Sequence, residues 1–200
     1  DEKIRISGER CRYLLNEGKC YLDGQPQVVR FDTTQAETLS IVSKQMAYDD
    51  SIKVTTAHDN VVITKGSLRS ECQLARYHTE SGLTKLRSNP WISYEHHRLL
   101  GDSVNLHFRD DTLNGAEVVG NAAGFYIEER PSDTTHTRMW GDSMYMALAS
   151  NGFLDTVWAY GNIRSTYAQV QDTLSPNEVT GKVMVLNFGE KSQISDAVVL

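Results

Sequence analysis

Apolar and polar residues alternate over long runs of this chain, and one such run is written three times. Leu100-Gly101-Asp102-Ser103 leads into Val104, Leu106 and Phe108, each separated by one polar residue. Trp140-Gly141-Asp142-Ser143 leads in the same way into Met144, Met146 and Leu148, and Thr180-Gly181-Lys182 into Met184, Leu186 and Phe188. The three glycines lie 40 residues apart. Side chains on a strand point to opposite faces in turn, so each run predicts a strand with one buried face. A repeat of this length predicts stacked strand units that bury a continuous core together.

Two further repeats extend the pattern. Arg12-Tyr13, Gly18, Leu22 and Pro26 recur 64 residues later as Arg76-Tyr77, Gly82, Leu86 and Pro90. Each copy reads as strand, Gly-containing turn, strand, then a Pro-containing turn before Val28-Val29 or Trp91-Ile92. Leu113–Asn121 matches Leu154–Asn162, with Ile52–Asn60 as a weaker copy. Asn60, Asn121 and Asn162 are expected to turn a strand over, helped at two of them by the preceding Gly. Ile194–Leu200 starts the same element and stops short of its Gly-Asn, so the natural stack is expected to continue past Leu200. Gln35–Met46 fits a helix or a strand, and polar Glu129–His136 reads as an exposed loop. The fold class is therefore all-β, a single repeat-built unit over residues 1–200.

Composition narrows the function. The chain is 40% hydrophobic and 23% charged, with a net charge of -6 and no basic run. Nucleic acid is not an expected partner, because phosphate binding needs clustered Lys and Arg. No stretch approaches the apolar length of a membrane-spanning helix. There is no signal-peptide pattern, and opening on Asp1-Glu2-Lys3 suits a mature or trimmed chain. Three cysteines without metal-ligand spacing point to no metal site. Cys11 and Cys20 flank the turn at Asn16-Glu17-Gly18, where they are either a disulfide pair or two small buried hydrophobes.

The candidate chemistry is thin. Gly101-Asp102-Ser103-Val104 and Gly141-Asp142-Ser143-Met144 resemble a serine-esterase block, and Asp133 and His136 supply an Asp-x-x-His. That chemistry needs a serine at a strand-to-helix elbow, whereas these serines lie inside a duplicated β pattern. His96-His97 are expected on opposite faces of a strand, and the other histidines are scattered. Asp49-Asp50 and Asp110-Asp111 sit where Asp serves turns. A carbohydrate enzyme with spaced carboxylates is a further catalytic alternative. No catalytic residue, metal or cofactor is assigned.

Several strand–turn units carry a resemblance. Met46-Ala47-Tyr48-Asp49-Asp50, Asn60–Gly66, Leu100-Gly101-Asp102, Val119-Gly120-Asn121-Ala122 and Ala159-Tyr160-Gly161-Asn162, in that order, resemble the OstA-like family. That family covers LptA, the soluble part of LptC and the N-terminal domain of LptD, which move lipopolysaccharide to the outer membrane. Asp59 replaces the Gly before Asn60, and Lys182 replaces the Asp of the third Gly-Asp. The resemblance implies an antiparallel β-jelly-roll stack of V-shaped cross-section in the periplasm. It implies no enzyme, but a lipid-binding bridge for outer-membrane biogenesis. Its acyl-binding lining would comprise Val104, Leu106, Phe108, Met144, Met146, Leu148, Met184, Leu186 and Phe188. Implied partners are lipopolysaccharide or a related lipid and other OstA-like domains, paired through terminal edges at Ile4–Ile6 and Val198–Leu200. Contact with a membrane would come only through partners or an absent anchor. From residue type alone the same nine residues also suit a packed β-sandwich core. That leaves open a second reading, a non-catalytic scaffold joining proteins by its strand edges. Trp91, Trp140 and Trp158 would be core anchors or groove-mouth aromatics.

Overall fold

The computed structural model describes residues 3–31, 39–109, 112–130, 133–169, 176–189 and 193–200, and these form an all-β, antiparallel structure. The strands are β1 (Lys3–Ser7), β2 (Arg10–Leu14), β3 (Lys19–Asp23), β4 (Gln27–Phe31), β5 (Leu39–Val42) and β6 (Gln45–Asp49). Next come β7 (Val54–Lys65), β8 (Leu68–His78), β9 (Leu83–Arg87), β10 (Trp91–Tyr94), β11 (His97–Leu100) and β12 (Ser103–Arg109). The chain closes with β13 (Thr112–Arg130), β14 (Asp133–Leu148), β15 (Leu154–Gln169), β16 (Asn177–Phe188) and β17 (Ile194–Val199).

The pairings resolve into two facing layers. One runs β1-β4-β5-β7-β8-β10-β11-β13-β14-β15-β16. The other runs β2-β3-β6-β7-β8-β9-β12-β13-β14-β15-β16-β17. Long strands belong to both, because each crosses from one layer to the other at a corner. Inward residues of the two layers form one core.

The corners explain the Gly-Asp and Gly-Asn repeats. Gly120-Asn121 and Gly161-Asn162 have φ of 77° and 48°, and of 69° and 45°. Two successive residues in the left-handed region bend the strand without ending it. The neighbouring strand supplies the Asp. Asn121 Nδ2 donates to the Asp102 carboxylate at 2.9 Å, and Asn162 Nδ2 donates to that of Asp142 at 3.1 Å. A Cβ on Gly120 or Gly161 would collide with that same carboxylate. Asp59-Asn60 makes the equivalent corner in β7 without a glycine, at φ of 61° and 52°.

Several expectations need correcting. Asn60, Asn121 and Asn162 do not turn strands over; they sit at bends inside continuous strands. The described parts of Glu129–His136 are strand, β13 and β14 pairing out to Arg130 and Asp133 with Thr135 buried, while residues 131–132 lie outside the described residues. Long-range pairing overrides the local polarity there. The part of Gln35–Met46 that is described is strand; residues 35–38, like Asp110-Asp111, lie outside the described residues. His96 occupies the β10–β11 turn, and only His97 lies in a strand. The 64-residue repeat holds in detail: Gly18 and Gly82 both have φ of 62°.

Candidate functional site

The three glycine-led runs lie in one layer as β12, β14 and β16, alternating with β13 and β15. Register carries a single inward row, Leu106–Ala116–Met146–Val157–Leu186, straight across five strands. A second row runs Val104–Val118–Met144–Ala159–Met184. The runs are thus every second rung of a shared lining, with smaller Ala or Val residues largely filling the rungs between. Phe108, Leu148 and Phe188 pair with Leu113, Leu154 and Ile194 at the far ends of their hairpins. Phe108 is half-buried, and the other eight expected lining residues are 0 to 9% exposed. The interior between the layers is filled by these side chains.

Opposite the corners, the layers meet along a seam. Arg30 donates from Nη1 to Tyr77 Oη at 2.6 Å, linking β4 to β8 across the layers. Further along, Phe188 packs against Tyr126 at 5.8 Å and His97 at 6.2 Å between ring centroids. Lys65 lies 5.8 Å over the Phe108 ring. Burial pushes the His97 imidazole down to about 4, with the charge of His96 adding to the effect. His97 Nδ1 and Tyr126 Oη are buried without a hydrogen-bond partner among the described residues. Sequence reasoning missed this seam, because its members come from seven strands and no single motif spans them.

The other candidates fall outside the interior. The Gly-Asp-Ser blocks are corner elements: Asp102 and Asp142 are held by Asn121 and Asn162, and Ser103 Oγ donates to the Val119 carbonyl at 3.4 Å. Asp49 accepts from the Ser51 amide and hydroxyl, and Asp50 accepts from Lys53 and Tyr48, as turn residues do. These bonds hold both carboxyls below their ordinary range. Among the described residues, no group of His, Cys, Asp and Glu is placed to hold a metal ion. Trp91, Trp140 and Trp158 are neither core nor mouth. Each occupies the outer face of a layer, half-buried, against Arg98, Arg164 and Tyr145 respectively.

Cys11 and Cys20 are not buried hydrophobes; Cys11 is exposed and Cys20 half-buried. Cys11 pairs with Leu22 and Cys20 with Tyr13, so the two thiols are diagonal on one face, Sγ to Sγ 3.0 Å. Partial burial, then the contact with Cys11, pushes Cys20 up to about 11. They belong to the hairpin at one end of the stack. Among the described residues, β1 and β2 have one partner each there, and β17 has one partner at the opposite end. No described helix is long and apolar enough to cross a membrane.

No protein-family model matches this sequence, and no curated protein matches it. Among solved structures it is similar to LptH of Pseudomonas aeruginosa, described as the LptA-homologous periplasmic component of the conserved lipopolysaccharide transport device. The likeness has a TM-score of 0.48 at 12% identity and covers 59% of this chain and 82% of that one.

Proposed function

We propose that this chain is a periplasmic lipid-binding β-stack of the OstA-like type that carries lipopolysaccharide toward the outer membrane. The supporting observation is the pair of inward rows through Leu106, Met146 and Leu186 and through Val104, Met144 and Met184. They offer the same apolar wall at every rung. Each buried CH2 of an acyl chain contributes about 0.8 kcal/mol, and unbranched Met adapts to changing neighbours. A uniform wall holds such chains without fixing them at one place, so transport needs no covalent chemistry. Acyl chains enter by parting the layers at the seam, where Phe108, Leu148 and Phe188 are the outermost lining residues. The unpaired edges of β1, β2 and β17 are the surfaces that join this stack to other OstA-like domains, head to tail. Contact with either membrane runs through those partners.

The filled interior favours a second reading, a non-catalytic scaffold that joins proteins by the same edges. Photo-crosslinking residues at positions 106 and 146, with position 158 as an outer-face control, separate the two. The lipid reading expects lipopolysaccharide adducts from 106 and 146 and none from 158. Folded variants that yield no adduct from either inward position leave the scaffold.

A further inference from the structure

The outer face of the layer containing β10, β11, β13 and β14 carries a cleft. Its volume is about 540 Å³, and Arg98, Leu100, Phe125, His136 and Arg138 line it. A second cleft of about 450 Å³ adjoins it, shares Arg98 and Leu100, and is walled by Trp91. Register places Arg98, Phe125 and Arg138 side by side on three successive strands, so the backbones of the two arginines flank that of Phe125 about 10 Å apart.

These groups are held ready for an anion. Arg98 lies 5.4 Å over the Trp91 ring and, among the described residues, has no carboxylate partner. Neighbouring Arg164 stacks on Trp140 at 5.9 Å but is already paired with Glu178 at 3.0 Å. Arg138 is exposed and has no carboxylate partner among the described residues. The acidic groups nearby are Glu95 at the rim and Asp102 in the second cleft, the latter held by Asn121. On a chain of net charge -6, this is a local cationic surface set among apolar rings. Phe125 meets Trp140 edge-on at 79°, and guanidiniums cover Trp91 and Trp140. Flat nucleobases therefore find no open stacking platform. A saccharide ring needs only an apolar edge and a side wall, and its phosphate takes the guanidinium fork.

We propose that this double cleft binds a phosphorylated saccharide, free or as the headgroup of a lipid, with Arg98 and Arg138 holding phosphate and Phe125 and Leu100 meeting the sugar ring. The site does not rest on the interior lipid reading. The test titrates the isotope-labelled full chain with glucose 1,6-bisphosphate, glucose and inorganic phosphate, following the three indole N–H signals. Trp91 and Trp140 are expected to shift with the bisphosphate while Trp158, on the other layer, stays put. Arg138→Ala is expected to weaken binding about tenfold with unchanged melting temperature. A phosphorylated glycolipid in micelles assigns the source: binding tighter than the free sugar names a lipid headgroup, and equal binding names the soluble form. The proposal fails if inorganic phosphate binds as tightly as the bisphosphate, or if Trp158 shifts equally. Binding only to phosphatidylglycerol vesicles would make the face a membrane surface and overturn it as well.

Discussion

The stretch before Leu100 and the stretch after it build the same two layers by different means. Early strands mostly stop at each corner, and Gly24-Gln25-Pro26 and Ser88-Asn89-Pro90 restart them in the opposite layer. Later strands run through: β13 has 19 residues, and β14 and β15 have 16 each. The lining differs too. In one of its two rows the early part reads Cys20–Tyr48–Thr55–Tyr77–Thr84, while the same row's continuation is Leu106–Ala116–Met146–Val157–Leu186. At the seam the early part is tied by Arg30 and Tyr77, and the later part closes with the rings of His97, Tyr126 and Phe188 and with the Tyr94 hydroxyl donating to the Gly152 carbonyl. The contrast teaches that a stack with one topology need not have one interior. One inward row changes from hydrogen-bonding to apolar side chains, while the other is apolar from Leu22–Met46–Ala57–Ala75–Leu86 onward, so the lipid reading places its weight on the later rungs, where both rows are apolar.

Corner substitutions give the largest expected break. Gly161→Val adds a Cβ where the Asp142 carboxylate sits, at a φ that β-branched residues avoid. A loss of about 4 kcal/mol or more is expected, read as loss of the cooperative urea transition. Asp59→Gly at the matching early corner should instead be neutral or stabilise by up to about 1 kcal/mol, since it relieves a left-handed non-Gly residue. Equal losses at both would erase the distinction between the two corner types.

Next in size is the lining. Met146→Ala should lower the unfolding free energy by about 3 kcal/mol, whereas Thr84→Ala in the same row should cost about 1 kcal/mol. Urea midpoints at fixed m-value would measure both. If Thr84 matters as much as Met146, the early interior is packed as tightly as the late one.

Acid sensitivity at the late seam gives a third test. His97 is held neutral by burial at about 4, below its unfolded value near 6.5. The unfolded chain therefore binds the proton first, and stability falls as pH drops from 6.5 to 4, then levels off. The loss from this group is at most about 3 kcal/mol. His97→Phe should flatten that part of the stability–pH curve, and an unchanged slope would remove His97 from the seam's energetics.

Alternation made the strands legible, since one buried face imposes a period of two whatever the neighbours are. The equivalence of Gly18 and Gly82, and of Pro26 and Pro90, was legible too, because identical turns need identical backbone freedom. The corners were half legible. Gly120-Asn121 announces positive φ, but whether the chain reverses or merely bends depends on the partner strand, which at this corner supplies Asp102 to Asn121. The Glu129–His136 segment shows the opposite failure, where polar residues read as a loop are strand because a neighbour pairs with them. The nine lining residues could be placed on one face from sequence, while their closure into a filled interior could not.

What the chain's letters determined by themselves was periodicity: all-β structure, the 40- and 64-residue units, and the inward identity of Val104, Met144 and Met184. Those follow from local stereochemistry and from apolar side chains leaving water, which act on any copy of the sequence in the same way. Tertiary structure alone decided which distant strand lies beside which, and so brought Arg30 to Tyr77, Tyr94 to Gly152, and His97 and Tyr126 to Phe188. Those meetings depend on register across residues far apart in the chain, where one residue of slip would turn each side chain to the other face.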